Sequence, residues 1–100
     1  MKDAVRVHRL LLHAASQLEK ESCPDDLVLD VISAGFEVQQ FITTDDINAE
    51  TDITADLGWR DAIQQAFEIV AAWSADTTAK AAFAIRMDDL RRAATSGSAS

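Results

Sequence analysis

The sequence contains little of what β-structure and disulfide scaffolds require. Its 100 residues include three glycines, one proline and one cysteine. So few turn-forming residues leave little chemistry for tight β-hairpins, and a single cysteine excludes an internal disulfide. The long segments are rich in alanine, leucine, glutamine and charged residues, which favour helices. The composition therefore predicts an all-α protein in a reducing compartment, and we expect it to be cytoplasmic.

Basic residues are also scarce. Nine Lys and Arg residues stand against seventeen Asp and Glu residues, which gives a net charge of −8. The acidity is central, since residues 19–76 hold fourteen acidic and two basic side chains. Binding to nucleic-acid phosphates requires a basic face, so direct nucleic acid binding is not expected, and neither is binding to an anionic membrane surface. No apolar run approaches the length of a membrane-spanning helix.

The length and apolar content predict one small core. A chain of 100 residues that is 48% hydrophobic can form one modest domain. We predict a compact bundle of about four helices over residues 1–95 and a frayed polar tail at residues 96–100. A core of this size leaves apolar surface uncovered, so a homodimer is predicted.

Residues 24–43 are predicted to form the central helix. When they are projected at about 100° per residue, the apolar side chains cover three faces and leave only a narrow polar strip. Such a helix is expected to be covered by neighbours on most sides. One apolar triplet borders the polar strip and has no clear place in a monomer's core. We predict that this triplet forms the dimer interface: Leu29, Ile32 and Phe36.

The first helix is predicted to run from Asp3 to about Glu21. Its apolar residues alternate at spacings of three and four, like a coiled-coil seam. The seam consists of Ala4, Val7, Leu11, Ala14 and Leu18. Four basic or titratable residues share another line, and they either face a partner's carboxylates or form a solvated face. These are Lys2, Arg6, Arg9 and His13.

Two further helices are predicted in the second half of the chain. The third begins at residue 54 or 55, ends at residue 73 or 74, and is clearly amphipathic. Its tryptophans, Trp59 and Trp73, are expected to be core or interface anchors. The fourth runs from Thr78 to Ala94. No glycine or proline separates Trp73 from Lys80, so one long bent helix is the alternative.

The fourth helix has two apolar faces, and both cannot enter one small core. Phe83, Met87 and Leu90 form the stronger face, and Ile85 lies nearly opposite. We therefore predict that this region binds another protein, with Arg86 pairing to the partner's acids. The predicted partner-binding residues are Trp73, Phe83, Ile85, Arg86, Met87 and Leu90. In the alternative, Phe83, Met87 and Leu90 are core and Ile85 is simply exposed.

Searches for catalytic and metal-binding patterns are negative. Residues 46–57 resemble a calcium-binding EF-hand loop in their alternating acids, but Thr51 replaces the required glycine and Leu57 the bidentate glutamate. His8 and His13 lie about 140° apart around a helix and cannot share a metal. Cys23 precedes a helix N-terminus, where neighbouring aspartates oppose a thiolate. No catalytic, cofactor or metal site is predicted, and we do not expect an enzyme.

Two functions remain open, and the sequence resembles no family. The first is a regulator that binds another protein directly, as an antagonist or adaptor of, for example, a transcription factor or effector. The second is an acidic inhibitor that imitates nucleic acid and occupies the groove of a DNA- or RNA-binding protein, as some phage and plasmid inhibitors do. High salt is expected to weaken the second kind of binding far more than the first.

Overall fold

The described chain is entirely helical apart from short ends and links. The computed structural model describes residues 2–21, 25–42, 57–73 and 76–97. Its elements are α1 (Lys2–Lys20), α2 (Asp25–Val38), a 3-10 turn (Gln39–Phe41), α3 (Trp59–Ala71) and α4 (Thr78–Gly97). These ranges contain no strand, so the predicted all-α class is confirmed. The radius of gyration is 12.9 Å, as expected for one compact domain of this length.

The four helices pack as a closed ring of neighbours. α1 and α4 each contact both α2 and α3. His8 of α1 contacts Gly35 of α2, and Phe83 of α4 contacts Trp73 just after α3. In each pair, residues near the start of one helix contact residues near the end of the other, so all four neighbouring pairs are antiparallel. α2 and α3 therefore run in the same direction. Residues 43–56, which connect them, lie outside the described residues.

α1 forms the centre of the hydrophobic core. All members of its predicted seam are completely buried: Ala4, Val7, Leu11, Ala14 and Leu18. Leu10 and Ala15 widen the buried face to an arc of about 140°, which is broad enough to meet two helices at once. This arc packs against α2 on one side and α3 on the other.

α2 does not take the central position that its sequence predicts. It buries Val31, Ala34 and Val38 against the core, whereas Leu29 and Phe36 remain 60% and 65% exposed. Among the described helices, α2 packs against α1 and α4. The prediction that most of its faces are covered is therefore wrong for the single chain.

Helix boundaries differ from the predicted ones, most clearly at the start of α3 and the end of α2. Leu57 and Gly58 are not helical, so α3 begins at Trp59 rather than at residue 54 or 55. Gly58 is the N-cap in extended backbone, with φ −70° and ψ 157°, and its carbonyl accepts a hydrogen bond from the Ala62 N–H at 2.9 Å. Glycine is unfavourable inside a helix, which is why the helix starts after it. α2 ends at Val38 and tightens into the 3-10 turn.

Three polar contacts fix α1 to its neighbours. His8 Nδ1 donates to the Gly35 carbonyl at 2.9 Å, and His13 Nε2 donates to the Leu57 carbonyl at 2.6 Å. The indole N–H of Trp59 donates to the Glu21 carboxylate. Both histidines therefore have structural hydrogen bonds to different segments of the chain. These bonds hold α1 in register with α2 and with the start of α3.

An aromatic cluster closes one end of the fold. Phe41 packs edge-on against Trp73 with ring centroids 5.6 Å apart, and Trp73 stacks on Phe83 at 6.2 Å. The cluster joins the ends of α2 and α3 to the first turns of α4. Such ring pairs add about 0.5–1.5 kcal/mol each beyond the area they bury. Trp73 is therefore part of the fold's internal packing.

The structure describes α3 and α4 as two helices. α4 has its own N-cap, since Thr77 Oγ1 accepts the Lys80 backbone N–H at 3.2 Å. Lys80 Nζ also lies 2.9 Å from Asp76 Oδ1, and this hydrogen bond and charge hold the pKa of Asp76 below its ordinary value of 3.8. The Lys80–Asp76 pair therefore stabilises the fold at neutral pH. This stabilisation is lost as the pH falls through the lowered pKa of Asp76. At its other end α4 continues past Ala94 to Gly97.

We expect the two faces of α4 to differ sharply in their contribution to stability. Met87 is completely buried, so Met87→Ala should lower the free energy of unfolding by about 2–5 kcal/mol. Ile85 is 65% exposed, so Ile85→Ala should change it by no more than about 0.5 kcal/mol. Urea unfolding followed by circular dichroism measures both. Equal losses for the two variants would contradict this assignment of the core.

A second expectation concerns Gly35, which lies inside α2 where α1 approaches. A Cβ added there would meet Leu11 and Leu12 at 3.8 Å, an ordinary van der Waals distance. Gly35→Ala should therefore raise the free energy of unfolding by about 0.5–1 kcal/mol through its helix propensity. Gly58→Ala is the matched control: its Cβ meets nothing within 4 Å, but the position is an N-cap and should gain nothing. A destabilised Gly35→Ala variant would show that the α1–α2 packing is tighter than described.

Candidate protein-binding surface

Four large apolar side chains remain at the surface of the folded chain. They are Leu12 at 47% exposure, Leu29 at 60%, Phe36 at 65% and Ile85 at 65%. Leu29 and Phe36 stand two turns apart on α2 and therefore point in the same direction. Leu12 of α1 lies beside them, since its Cδ2 is 3.8 Å from the Cβ position at Gly35. Leu12, Leu29 and Phe36 thus form one exposed apolar row across α1 and α2.

A groove runs between α2 and α4, and we name it the α2–α4 groove. It encloses about 430 Å³ and is lined by Asp30, Glu37, Ala82, Ile85, Arg86, Asp89, Leu90 and Ala93. Ala82 and Ala93, at the two ends of its α4 side, are small and exposed. Ile85 is the large exposed apolar side chain on the α4 side, and Asp30 and Glu37 form the α2 side.

The charges of the α2–α4 groove are predominantly negative. Glu37 of α2 is ion-paired with Arg86 of α4, and this pair joins the two sides of the groove. Asp30 and Asp89 stand on opposite sides, and no described residue forms an ion pair with either of them. Asp26 is exposed one turn before Asp30. An apolar surface with carboxylates at its rim is therefore available on this side of the molecule.

The structure separates the predicted partner-binding residues into two groups. Phe83 and Met87 are completely buried and Leu90 is 3% exposed, so these three belong to the core and cannot contact another protein. Trp73 lies in the aromatic cluster. Ile85 and Arg86 are exposed and Trp73 is partly buried, and Arg86 is already paired with Glu37 rather than free for a partner's acids. Of the two apolar faces of α4, the one with fewer large apolar residues, which carries Ile85, is therefore the exposed face.

The predicted dimer residues are divided as well. Leu29 and Phe36 are exposed, which leaves both accessible to a second chain. Ile32 is partly buried and packs against the core, so it supports the row from beneath. Whether two copies associate through this row stays a prediction.

Leu12, Asp30 and Asp89 are surface features that the sequence interpretation did not assign. A signal for Leu12 was present, because Leu10, Leu11 and Leu12 are consecutive and three consecutive helical residues span about 200°. A single buried face cannot hold all three, so one of them must lie at the surface. Asp30 and Asp89 lie on different helices, and only the pairing of α2 with α4 brings them to one groove.

Among the described residues, both histidines serve as hydrogen-bond donors to the backbone. In the described part of the chain, no group of three or more His, Cys, Asp or Glu side chains is placed to hold a metal ion. His8 and His13 bond to carbonyls of different segments. Cys23 and nearly all of the EF-hand-like stretch lie outside the described residues. None of the described helices combines the length and apolar character that a bilayer span requires.

Comparisons with known proteins do not assign the chain to a family. Neither the protein-family models, nor the curated proteins, nor the solved structures contain a match to it. The candidate function therefore depends on the surface itself.

Proposed function

We propose that this protein regulates another protein by direct binding, as an antagonist or adaptor in the cytoplasm. The observation that carries the proposal is the exposure of Leu29, Phe36 and Ile85 at 60% or more on two neighbouring helices. Single exposed apolar residues are common on proteins, but several large ones on one side of a small domain are typical of an interaction surface.

The chemistry around these residues also supports protein binding. A protein interface combines an apolar centre with a polar rim, and aromatic side chains are enriched at its centre. Phe36 is the largest exposed apolar side chain, and Asp26, Asp30 and Asp89 lie on the helices that border it. Burying a Phe or Leu side chain contributes about 1.5–3 kcal/mol. Two or three such side chains therefore supply a substantial part of the binding free energy of a complex with micromolar affinity.

The arrangement favours this function over imitation of nucleic acid. An acidic mimic relies on carboxylates that replace phosphates, and its binding depends on long-range charge. Here the exposed carboxylates of α2 and α4 share their surface with Leu29, Phe36 and Ile85. Those side chains would add no affinity in a groove built for phosphates. A homodimer through the exposed row of α1 and α2 is the competing use of this surface, since a second copy would cover Leu29 and Phe36.

The proposal is tested by co-purification from the native host. The tagged protein should retain a specific partner at about 0.5 M salt, where interactions between exposed charges are largely screened. Phe36→Asp and Ile85→Asp should each reduce the recovered partner at least about tenfold, the loss expected for one interface anchor. Melting temperatures of the variants confirm that the fold is kept.

The matched control for this experiment is Gln64→Asp on the exposed side of α3. It adds the same charge away from the candidate surface and should leave recovery unchanged. A partner that is lost in high salt but retained by Phe36→Asp and Ile85→Asp would contradict the proposal and favour the acidic mimic.

A further inference from the structure

We propose that the α2–α4 groove binds an amphipathic helix of another protein, one that carries lysines or arginines on both sides of a narrow apolar stripe. The inference depends on the proposed function and names the class of partner at that site. Its observations are the exposed apolar side chain of Ile85, the small alanines on the α4 side and the unpaired carboxylates on opposite sides of one groove.

The dimensions of the groove fit a helix of about three turns. Its α4 side extends from Ala82 to Ala93, which lie about 16 Å apart along the axis. Small side chains at both of these positions let a third helix approach closely, since the distance between helix axes is set by the side chains at the contact. Ile85 then packs beside the bound helix.

The apolar residues define a narrow stripe on the partner. Ile85 of α4 is exposed in the groove, and Leu90 contributes to its lining. Leu, Ala or Met side chains on one face of the bound helix would pack against Ile85 and Leu90. A broad apolar face would instead meet the carboxylates, so the stripe must be narrow.

The charges define what flanks that stripe. Asp30 on α2 and Asp89 on α4 have no ion-pair partner among the described residues, and they lie on opposite sides of the groove. A Lys or Arg on each flank of a bound helix would meet one carboxylate, and on the α4 side its methylene stem would pack on Ile85. The same carboxylates repel a helix with acidic flanks.

Other parts of this protein fit the groove poorly. Residues 43–56 include five acidic residues and no Lys or Arg, so their charge matches that of the groove. A second copy related by a two-fold axis would place the same carboxylates opposite each other, because both subunits contribute the same patch to such an interface. A basic helix from a different protein is the occupant whose charge complements Asp30 and Asp89.

The inference is tested with two synthetic helical peptides and the full chain. The first has about fourteen residues, with a Leu/Ala stripe flanked by lysines, and the second replaces every lysine by glutamate. Fluorescence anisotropy of each labelled peptide measures its affinity. We expect the lysine peptide to bind at least about tenfold more tightly than the glutamate peptide.

Variants separate the groove from general attraction to an acidic protein. Asp30→Asn with Asp89→Asn should weaken the lysine peptide about tenfold and flatten the salt dependence of its affinity. Ile85→Asp should weaken it as well, because the exposed apolar side chain is lost. Asp61→Asn and Glu68→Gln together are the matched control: both carboxylates are exposed on α3, and the double variant removes the same charge away from the groove. It should leave the affinity unchanged.

Three results would overturn the inference. The first is equal binding of the two peptides, or binding of neither. The second is an equal loss in the α3 double variant, which would indicate non-specific charge attraction. The third is a dimer at tens of micromolar by sedimentation that Ile85→Asp dissociates, which would assign the groove to a second copy. If the lysine peptide fails to bind while Phe36→Asp still abolishes recovery of a host partner, this inference fails and the proposed function stands.

Discussion

The burial of one arc of α1 between α2 and α3 is the interaction on which the rest of the structure depends. Every residue of the α1 seam is fully buried, and only this helix is fixed to others by histidine bonds to backbone carbonyls, among the contacts that the described residues show. α4 then packs across α2 and α3 through Phe83, Met87 and Leu90. With one small core formed in this way, no further helix among the described residues covers the outer face of α2.

That shortage of cover connects the fold to the proposed function. The outer faces of α2 and α4 carry Leu29, Phe36 and Ile85 into solvent, where each costs free energy that burial would recover. The ion pair between Glu37 and Arg86 neutralises one carboxylate of the groove and leaves Asp30 and Asp89 without described partners. The surface is therefore both apolar and acidic, and its partner is expected to be apolar and basic.

The sequence predicted the α1 seam correctly because regular spacing reports directly which residues share a face. The prediction for α2 failed because apolar residues on three faces do not show which of those faces meet a neighbouring helix. In the structure α1 takes the central position. The two faces of α4 were recognised, but the larger residues, Phe83 and Met87, are the buried ones. Asp30 and Asp89 were beyond prediction, since their proximity depends on the pairing of α2 with α4.

The central claim is that the outer faces of α2 and α4 bind a protein partner, and amide chemical-shift mapping tests it most directly. The labelled chain would be titrated with the partner recovered from the host, and the shifts followed residue by residue. The account predicts that the largest changes cluster at Leu29, Ser33 and Phe36 on α2 and at Ile85 and Asp89 on α4. Changes confined to the exposed side of α3, at Arg60 and Gln64, would contradict it.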